Sequence, residues 1–214
     1  MLMNIYLASG NANKAKEIGL LLAAKALEVT LESAALVGGM PFVEEDKDSF
    51  EGNARKKAEA LLELIPEDSW ALADDSGLCV ECLHGAPGVQ SARFSGEKAT
   101  DETNNEKLLT LMHGDSPETR KAAFKCVLVL LGPGGREHVF MGECQGSITL
   151  EKRGSSGFGY DPLFQPDGYS RTFAQLGLEV KNRISHRSNA LSELLQWLRA
   201  DARAPKEKNS LCDV

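Results

Sequence analysis

The sequence has no long apolar run. No stretch of its 214 residues approaches the roughly 18 consecutive apolar residues that a membrane-spanning helix requires. Residues 1–6 also lack the basic start and the long apolar segment of a signal peptide. With 42% hydrophobic and 26% charged residues, the composition is that of an ordinary soluble globular protein. We therefore expect a cytoplasmic protein without a membrane partner.

The sequence also lacks a disulfide framework, a complete zinc-binding set and an excess of basic residues. Its five cysteines are odd in number, and no second cysteine or histidine pair complements the metal-like spacing of Cys79 and Cys82. The formal net charge of −7 argues against a polyanion such as duplex DNA bound over a broad face. We expect no nucleic-acid partner, although a local basic site for a small phosphorylated ligand is compatible with this charge.

The length is sufficient for one sizeable core, or for one core divided into two lobes by a cleft. We expect residues 1–200 to form a single domain and the polar tail 201–214 to be disordered. Hydrophobic periodicity predicts strands at 4–8, 28–32, 122–131 and 138–145, and helices at 15–26, 50–65, 103–114 and 172–178, with a last helix after residue 187. A glycine-rich turn at 132–135 predicts an antiparallel hairpin, in which His138 is a half-exposed sheet residue and not a ligand.

Two adjacent acids follow a short apolar strand that begins at Trp70. We expect the chain to turn at Asp74 and Asp75, because a serine and a glycine come next. Side chains alternate across a strand, so the two carboxylates should point to opposite sides. Paired carboxylates suit Mg²⁺, a hard cation that prefers oxygen ligands. Taken alone, the motif is more typical of an acidic turn held by local hydrogen bonds.

A polar loop follows the first strand and leads into a helix. Its residues are Ser9, Gly10, Asn11, Ala12, Asn13 and Lys14. A tight turn of this kind can aim backbone N–H groups at an anion, the helix start adds partial positive charge, and Lys14 adds a full charge. The nucleotide-binding P-loop pattern is absent, and the alternative is an ordinary helix cap.

Further candidate residues lie on helices and in a second glycine-rich loop. Asn53 and Lys57 are one helical turn apart and could both reach a cleft, although a solvated charged face is the alternative. The loop 152–162 contains Phe158 and Tyr160, whose rings offer flat faces on which a base could stack. The last helix is preceded by a basic cluster whose charges oppose the helix dipole, so we expect an acidic partner or an anion nearby. This cluster comprises Lys181, His186 and Arg187, with Ser185 beside them.

Taken together, the motifs resemble those of the inosine triphosphate pyrophosphatase family, and more specifically those of its bacterial dITP/XTP branch. The motifs that carry the resemblance are Ser9-Gly-Asn-x-x-Lys14, Phe50-x-x-Asn53-Ala, Ala73-Asp-Asp-Ser-Gly77, Gly85-Ala-Pro-Gly88, Ser91-Ala-Arg93, Phe158-Gly-Tyr-Asp-Pro162 and Ile184-Ser-His-Arg187. The resemblance implies a mixed α/β fold with an elongated central sheet, flanking helices and two lobes around a substrate cleft. It also implies a homodimer and an Mg²⁺-dependent reaction that converts ITP, dITP or XTP to the monophosphate and pyrophosphate.

The resemblance further implies roles for individual residues. Asp75 would be the catalytic base and an Mg²⁺ ligand, Glu45 would be the second metal carboxylate, and Ser76 would contact the substrate. The remaining substrate-binding residues would be Ser9, Gly10, Asn11, Ala12, Asn13 and Lys14 for the triphosphate, and Phe158, Gly159, Tyr160, Asp161, Lys181, His186 and Arg187 for the base and phosphates. The sequence departs from the family pattern at Gly52 and Val180, where relatives often have an acid. Because Glu44 and Asp46 flank Glu45, the identity of the metal carboxylate stays open.

Deaminated purines differ from adenine in carrying O6 in place of N6–H₂. A donor aimed at O6 would face another donor in adenine, and an unpaired buried donor costs about 1–3 kcal/mol. His186, Arg187 or a backbone N–H could be that donor. Three alternatives remain for the function: a pyrophosphatase for modified pyrimidine nucleotides, a nucleotide-binding regulator without turnover, and a serine hydrolase that uses Ser76 and His186. The Gly-x-Ser-x-Gly pattern of many serine hydrolases is missing.

Overall fold

The structure is a computed structural model that describes residues 3–23 and 29–201. Its centre is a six-stranded mixed sheet with the strand order β2-β1-β3-β4-β5-β6. The strands are β1 (Met3–Ala8), β2 (Val29–Ser33), β3 (Trp70–Val80), β4 (Lys121–Gly132), β5 (Arg136–Ile148) and β6 (Phe164–Pro166). Strand β1 is parallel to β2 and β3, whereas the pairs from β3 to β6 are antiparallel. The predicted mixed sheet and the hairpin at 132–135 are confirmed.

The described helices flank the sheet. They are α1 (Ala12–Ala23), α2 (Phe50–Leu62), α3 (Asp101–Leu111), α4 (Phe173–Ile184) and α5 (His186–Asp201). Among these residues, no helix has the length and apolarity needed to cross a bilayer. The predicted end of α1 at Ala26, the predicted start of β2 at Glu28 and residues 202–214 of the predicted disordered tail lie outside the described residues. Asp201, the first residue of that predicted tail, is the last residue of α5.

Helices α1, α3 and α4 show boundaries that differ from the prediction for local reasons. Helix α1 begins at Ala12, because the side chain of Asn11 caps it. Helix α3 begins at Asp101, since its capping box uses Thr100 and Thr103 and not a later pair. Helix α4 continues to Ile184 and therefore carries Lys181, although a glycine with φ of 80° at position 177 interrupts its helical backbone.

The apolar residues form two lobes along the sheet. In the first lobe, alternate residues of β3 face opposite sides: Trp70 and Leu72 pack with α5, whereas Ala71 and Ala73 pack with α2. In the second lobe, the continuation of β3 from Leu78 packs with apolar residues of α3, β4 and the segment 160–173. The residues of β3 between the two apolar sections are Asp74 to Gly77, so the acidic pair lies at the junction of the lobes.

The chain does not reverse at Asp74 and Asp75, and the predicted turn is wrong. Strand β3 runs through both residues to Val80 and stays paired with β4 throughout, with Asp75 opposite Val127. Gly77 has a different role from the turn residue that we expected. A Cβ atom at this position would overlap the carbonyl oxygen of Gly88 and the hydroxyl of Ser91. The glycine therefore permits the close approach of the segment 88–91 to the sheet.

The open edge of β3 creates a cleft beside the acidic pair. Strand β1 ends at Ala8, which pairs with Ala73. From Asp74 onward, β3 has no partner on the β1 side among the named strands of the described residues, and the polar loop after β1 begins there. Ligands of open α/β sheets bind beyond the carboxyl ends of such strands. The topology thus brings the polar loop and the acidic pair together.

Candidate active site

Asp74 and Asp75 belong to different networks on opposite faces of β3, as the alternation of side chains predicted. One oxygen of Asp74 lies 2.7 Å from Lys14 Nζ, and the other accepts a hydrogen bond from Arg187 Nε at 3.2 Å. Asp75 lies 3.0 Å from Lys57 Nζ and accepts a weaker hydrogen bond from the Asn53 amide at 3.4 Å. The pair of acids therefore separates a face towards α1 and α5 from a face towards α2.

On the α2 face, two carboxylates converge on one ammonium group. Lys57 Nζ lies 3.0 Å from Asp75 Oδ1 and 3.1 Å from Glu45 Oε1. Arg93 holds Glu45 from the other side, because its guanidinium donates to both the backbone carbonyl and the carboxylate of Glu45. Asn53 and Lys57 are buried and both contact Asp75, so the alternative of a solvated charged face is wrong.

Of the three candidate metal acids, only Glu45 faces Asp75 in this way. Asp46 pairs with Lys56 Nζ at 3.0 Å on the outer side of α2, and the side chain of Glu44 is exposed. No group of three or more acidic, histidine or cysteine side chains that could hold a metal occurs within residues 3–23 and 29–201. Two converging carboxylates fit Mg²⁺, which usually takes one or two protein carboxylates and completes its shell with phosphate oxygens and water.

The two acids also differ in acidity. Burial raises the pKa of Asp75 above its usual value, in spite of the attraction of Lys57 and Lys14. Burial of Asp74 acts in the same direction, but Lys14 and Arg187 outweigh it and hold the pKa of Asp74 well below its usual value. Asp75 is therefore the better proton acceptor, whereas Asp74 stays ionised as a fixed charge.

The polar loop after β1 offers a ligand the side chain of Lys14, whereas two of its backbone N–H groups are already hydrogen-bonded. Asn11 Oδ1 accepts hydrogen bonds from the backbone N–H groups of Asn13 and Lys14 at 3.0 and 3.2 Å. These donors are therefore engaged, contrary to the expectation that the turn aims them at an anion. The Lys14 side chain retains 17% of its exposure, and together with Asn11 it lines the cleft. Lys14 is thus the principal positive charge that this loop offers to a ligand.

The basic cluster at the start of α5 has the acidic partners that its position predicted. Glu17 of α1, which is only 6% exposed, lies 3.0 Å from Lys181 Nζ and also accepts from the Arg187 guanidinium. Asp74 is the second partner of Arg187. Glu17 is a functional residue beyond those that the motifs indicate, although its spacing of one helical turn from Lys14 places both on one face of α1.

Arg187 connects this network to Ser76. Its guanidinium donates to Asp74, to Glu17 and, at 2.9 Å, to Ser76 Oγ, so two of its five N–H donors have no partner in the described part of the chain. Burial disfavours the charge, but Asp74 and Glu17 raise the pKa of Arg187. Ser76 makes no hydrogen bond with His186 within the described residues. The serine-hydrolase alternative therefore lacks the nucleophile–base contact that it requires.

The cleft has a volume of about 590 Å³ with its mouth included and brings together most of the predicted substrate residues. Those that line it are Asn11, Lys14, Ser76, Phe158, Gly159, Tyr160, Asp161, Lys181, His186 and Arg187. Asn13 lines an adjacent pocket behind Lys181 and Phe158. Ser9, Gly10 and Ala12 do not line the cleft, and neither do Glu45 and Asp75, which lie on the α2 face.

The two candidate stacking rings differ in their exposure and in their contacts. Tyr160 is 4% exposed and donates its hydroxyl to the Ser91 carbonyl at 2.9 Å, so its ring belongs to the core. Phe158 is half-buried, and Lys181 Nζ lies 4.3 Å from its ring centroid. Asp161 holds Lys181 and Phe158 in place, because it accepts hydrogen bonds from Lys181 Nζ at 2.7 Å and from the Phe158 backbone N–H at 3.0 Å. Asp161 therefore positions these residues.

His186 contributes a buried nitrogen without a partner. Its ring stacks on Phe124 at a centroid distance of 4.8 Å, and Nδ1 has no hydrogen-bond partner in the described part of the chain. Burial and the nearby Arg187 and Lys181 lower the pKa of His186 well below its usual value, which keeps the imidazole neutral near pH 7. A buried polar atom of this kind is costly unless a ligand or water satisfies it.

The chain is similar to known proteins over most of its length. The chain is 51% identical over 199 residues to a dITP/XTP pyrophosphatase of Opitutus terrae, which covers 91% of this chain and 98% of that protein. It is 47% identical over 196 residues to a dITP/XTP pyrophosphatase of Desulforamulus reducens, with 92% and 96% covered.

Solved structures show the same fold. A HAM1 protein of Coxiella burnetii superposes with a TM-score of 0.83 at 36% identity, and the Ham1 protein of Staphylococcus aureus with 0.81 at 37%. Each comparison covers 92% of this chain and 99% of the other. The profile of the Ham1 family matches residues 5–197, which include the acidic pair, the polar loop and the basic cluster. The resemblance inferred from the motifs is thereby confirmed, and the chain belongs to the Ham1 family.

Proposed function

We propose that this protein is an Mg²⁺-dependent nucleoside triphosphate pyrophosphohydrolase that acts on deaminated purine nucleotides, such as ITP, dITP, XTP and dXTP. Water attacks the α-phosphate, the bond between the α-phosphorus and the bridging oxygen breaks, and the products are the monophosphate and pyrophosphate. The convergence of Asp75 and Glu45 on one cation position, next to a cleft that holds Lys14, Phe158 and His186, carries this proposal. The names of the relatives support the substrate class.

The α2 face supplies the hydrolytic chemistry. Mg²⁺ held by Glu45 and Asp75 would neutralise part of the triphosphate charge and polarise the phosphorus–oxygen bonds. Asp75 orients the attacking water and accepts its proton, a role that its raised pKa favours. The face towards α1 and α5 adds Lys14, which stabilises the negative charge that develops on the phosphates as the bond to pyrophosphate breaks.

The face towards α1 and α5 supplies recognition of the base. Phe158 offers a stacking surface that accepts any purine. His186 Nδ1, as a donor in the appropriate tautomer, can satisfy O6 of hypoxanthine or xanthine and would meet the N6–H₂ donor of adenine. The two free N–H groups of Arg187 are the second candidate donors. Because all three positions belong to one cleft, stacking and edge recognition act on the same base.

A substrate panel with pyrophosphate detection tests the proposal. ITP, dITP, XTP, GTP, ATP and modified pyrimidine triphosphates are incubated with the protein in Mg²⁺ and, in parallel, in EDTA. We expect rapid release of pyrophosphate from ITP, dITP and XTP, slow release from ATP, and none in EDTA. Preferential hydrolysis of pyrimidine triphosphates would assign the protein to the pyrimidine alternative. Tight binding of ITP without pyrophosphate release would identify a regulator.

We also propose that residues 1–200 of each chain form a single domain and that two chains form a homodimer, in agreement with the family resemblance. We propose the cytoplasm as the location of this dimer. The profile match over residues 5–197 supports the domain boundaries. Light scattering coupled to size-exclusion chromatography tests the dimer, for which we expect about twice the chain mass of 23.1 kDa. A monomer at micromolar concentration would contradict it.

A further inference from the structure

The cation position between the two proposed metal ligands is taken by a side chain of the protein itself. Lys57 projects from α2, is only 9% exposed, and places its ammonium 3.0 Å from Asp75 and 3.1 Å from Glu45. These distances correspond to direct ion pairs with both carboxylates. The ammonium therefore offsets part of the negative charge of the two acids.

We propose that Lys57 acts as an exchangeable counter-ion, which must leave Asp75 and Glu45 before a divalent ion can bind, and that this exchange makes tight metal binding conditional on the nucleotide. An ammonium and a divalent cation repel each other strongly within a few ångströms in a partly buried site. The phosphates of the nucleotide provide a new anionic partner for the displaced ammonium. This inference rests on the proposed function, since it concerns the metal of that reaction.

The carboxylates do not depend on Lys57 alone for their orientation. Asn53 donates to Asp75 Oδ2, whereas Lys57 donates to the other oxygen, Oδ1. Arg93 holds Glu45 through both its carbonyl and its carboxylate. When the ammonium withdraws, both acids keep a hydrogen-bond donor that orients them, so the oxygen ligands are already in place.

Lysine is suited to such an exchange. Its ammonium sits at the end of a flexible four-carbon stem and carries three donors that can be reoriented. The backbone from which it projects is fixed, because the neighbouring residues Ala54 and Ala58 are fully buried against the sheet. The movement can therefore be confined to the side chain, without any change in α2.

The adjacent lysine provides a matched control. Lys56 lies on the same helix, but its ammonium contacts the Glu44 carbonyl at 2.8 Å and Asp46 at 3.0 Å on the outer side. Lys56→Met and Lys57→Met remove the same charge from adjacent positions. Only the second removes the ammonium that lies between Asp75 and Glu45.

The test measures Mn²⁺ binding by the EPR signal of the free ion, for the wild type, Lys57→Met and Lys56→Met, with and without the non-hydrolysable α,β-methylene analogue of ITP. Without the analogue, we expect Lys57→Met to bind Mn²⁺ about 10-fold more tightly than the wild type, and Lys56→Met to remain within about 2-fold of it. The analogue should tighten Mn²⁺ binding to the wild type much more than to Lys57→Met. Circular dichroism verifies folding, and Lys57→Gln, which retains a polar side chain without the charge, replaces Lys57→Met if that variant does not fold.

Equal Mn²⁺ affinity of the wild type and the charge-removing Lys57 variant without nucleotide would overturn the inference, and the proposed function would stand. Equal tightening by the analogue in both proteins would overturn it as well. If the wild type binds no Mn²⁺ even with the analogue, the metal site itself is wrong, and the proposed function fails together with the inference.

Discussion

The neighbouring acids Asp74 and Asp75 lie on opposite faces of β3, and their surroundings shift their pKa values in opposite directions. On the face towards α1 and α5, Asp74 is enclosed by Lys14 and by Arg187, which Glu17 holds in turn, and its pKa is lowered. On the α2 face, Asp75 has one lysine ammonium and a weakly bound amide as partners, and its pKa is raised. The difference makes Asp74 the more firmly held charge and Asp75 the acid that accepts a proton more readily.

The largest effect is expected for Asp75→Asn, which removes the reactive charge from the α2 face. Turnover of ITP at saturating Mg²⁺ should fall by about 10²- to 10⁴-fold, because the amide can neither accept the proton of water nor bind metal as a carboxylate does. Since burial already disfavours the charge of Asp75, the variant should remain folded. Steady-state kinetics and circular dichroism measure the two properties. Near-normal turnover would show that Asp75 is neither the base nor an essential ligand.

Asp74→Asn removes the ion pairs of Asp74 on the face towards α1 and α5, and it should mainly reduce stability. It leaves the buried charge of Arg187 and the half-buried charge of Lys14 without their common partner, so we expect the free energy of unfolding to fall by about 3–5 kcal/mol. Urea denaturation measures this loss, with Asp75→Asn as the control that changes the neighbouring carboxylate. If both variants are destabilised equally, the distinction between a structural and a reactive acid is wrong.

Glu17→Gln tests whether the α1 and α5 face also positions the substrate residues. The amide retains the volume but removes the charge that holds Lys181 and Arg187. We expect kcat/KM for ITP to fall about 10- to 100-fold, chiefly through KM, which corresponds to the worth of one charged hydrogen bond of roughly 1.5–3 kcal/mol. Lys16→Gln, at an exposed position on the same helix, is the control. An unchanged KM would indicate that Asp161 and Asp74 position the two cations without Glu17.

The smallest effect is expected for His186, which lies on the same face and makes the stability of the protein depend on pH. Its pKa is lowered in the folded protein, so the unfolded chain binds the proton more readily. Stability should therefore fall as the pH decreases below about 6.5, with a limiting slope of about 1.4 kcal/mol per pH unit from this group. His186→Gln should lose this part of the slope, whereas His113→Gln, at an exposed position, should retain it. Urea denaturation between pH 5 and 8 measures the slopes. Identical slopes in the wild type and His186→Gln would show that His186 accepts its proton in the folded state.

Local patterns determined much of the fold and part of the site. The period of two along β3 placed Asp74 and Asp75 on opposite faces, and the period of the α2 helix placed Asn53 and Lys57 on one side. Both follow from backbone geometry within a few residues, which does not require knowledge of the rest of the chain. The cations at the start of α5 similarly predicted acidic partners, because the helix dipole is a property of the helix itself.

Only the tertiary structure decided which residues meet. The local sequence predicts a turn at Gly77, because the role of this glycine, the close approach of the segment 88–91, depends on a distant part of the chain. The local sequence likewise does not single out Glu17, nor Glu45 from Glu44 and Asp46, since partners such as Lys181, Lys57 and Arg93 are remote in sequence. Asp74 and Arg187 lie 113 residues apart. A contact over such a separation depends on strand pairing and on helix packing across the whole sheet, and these interactions leave no periodic pattern in the sequence around either residue.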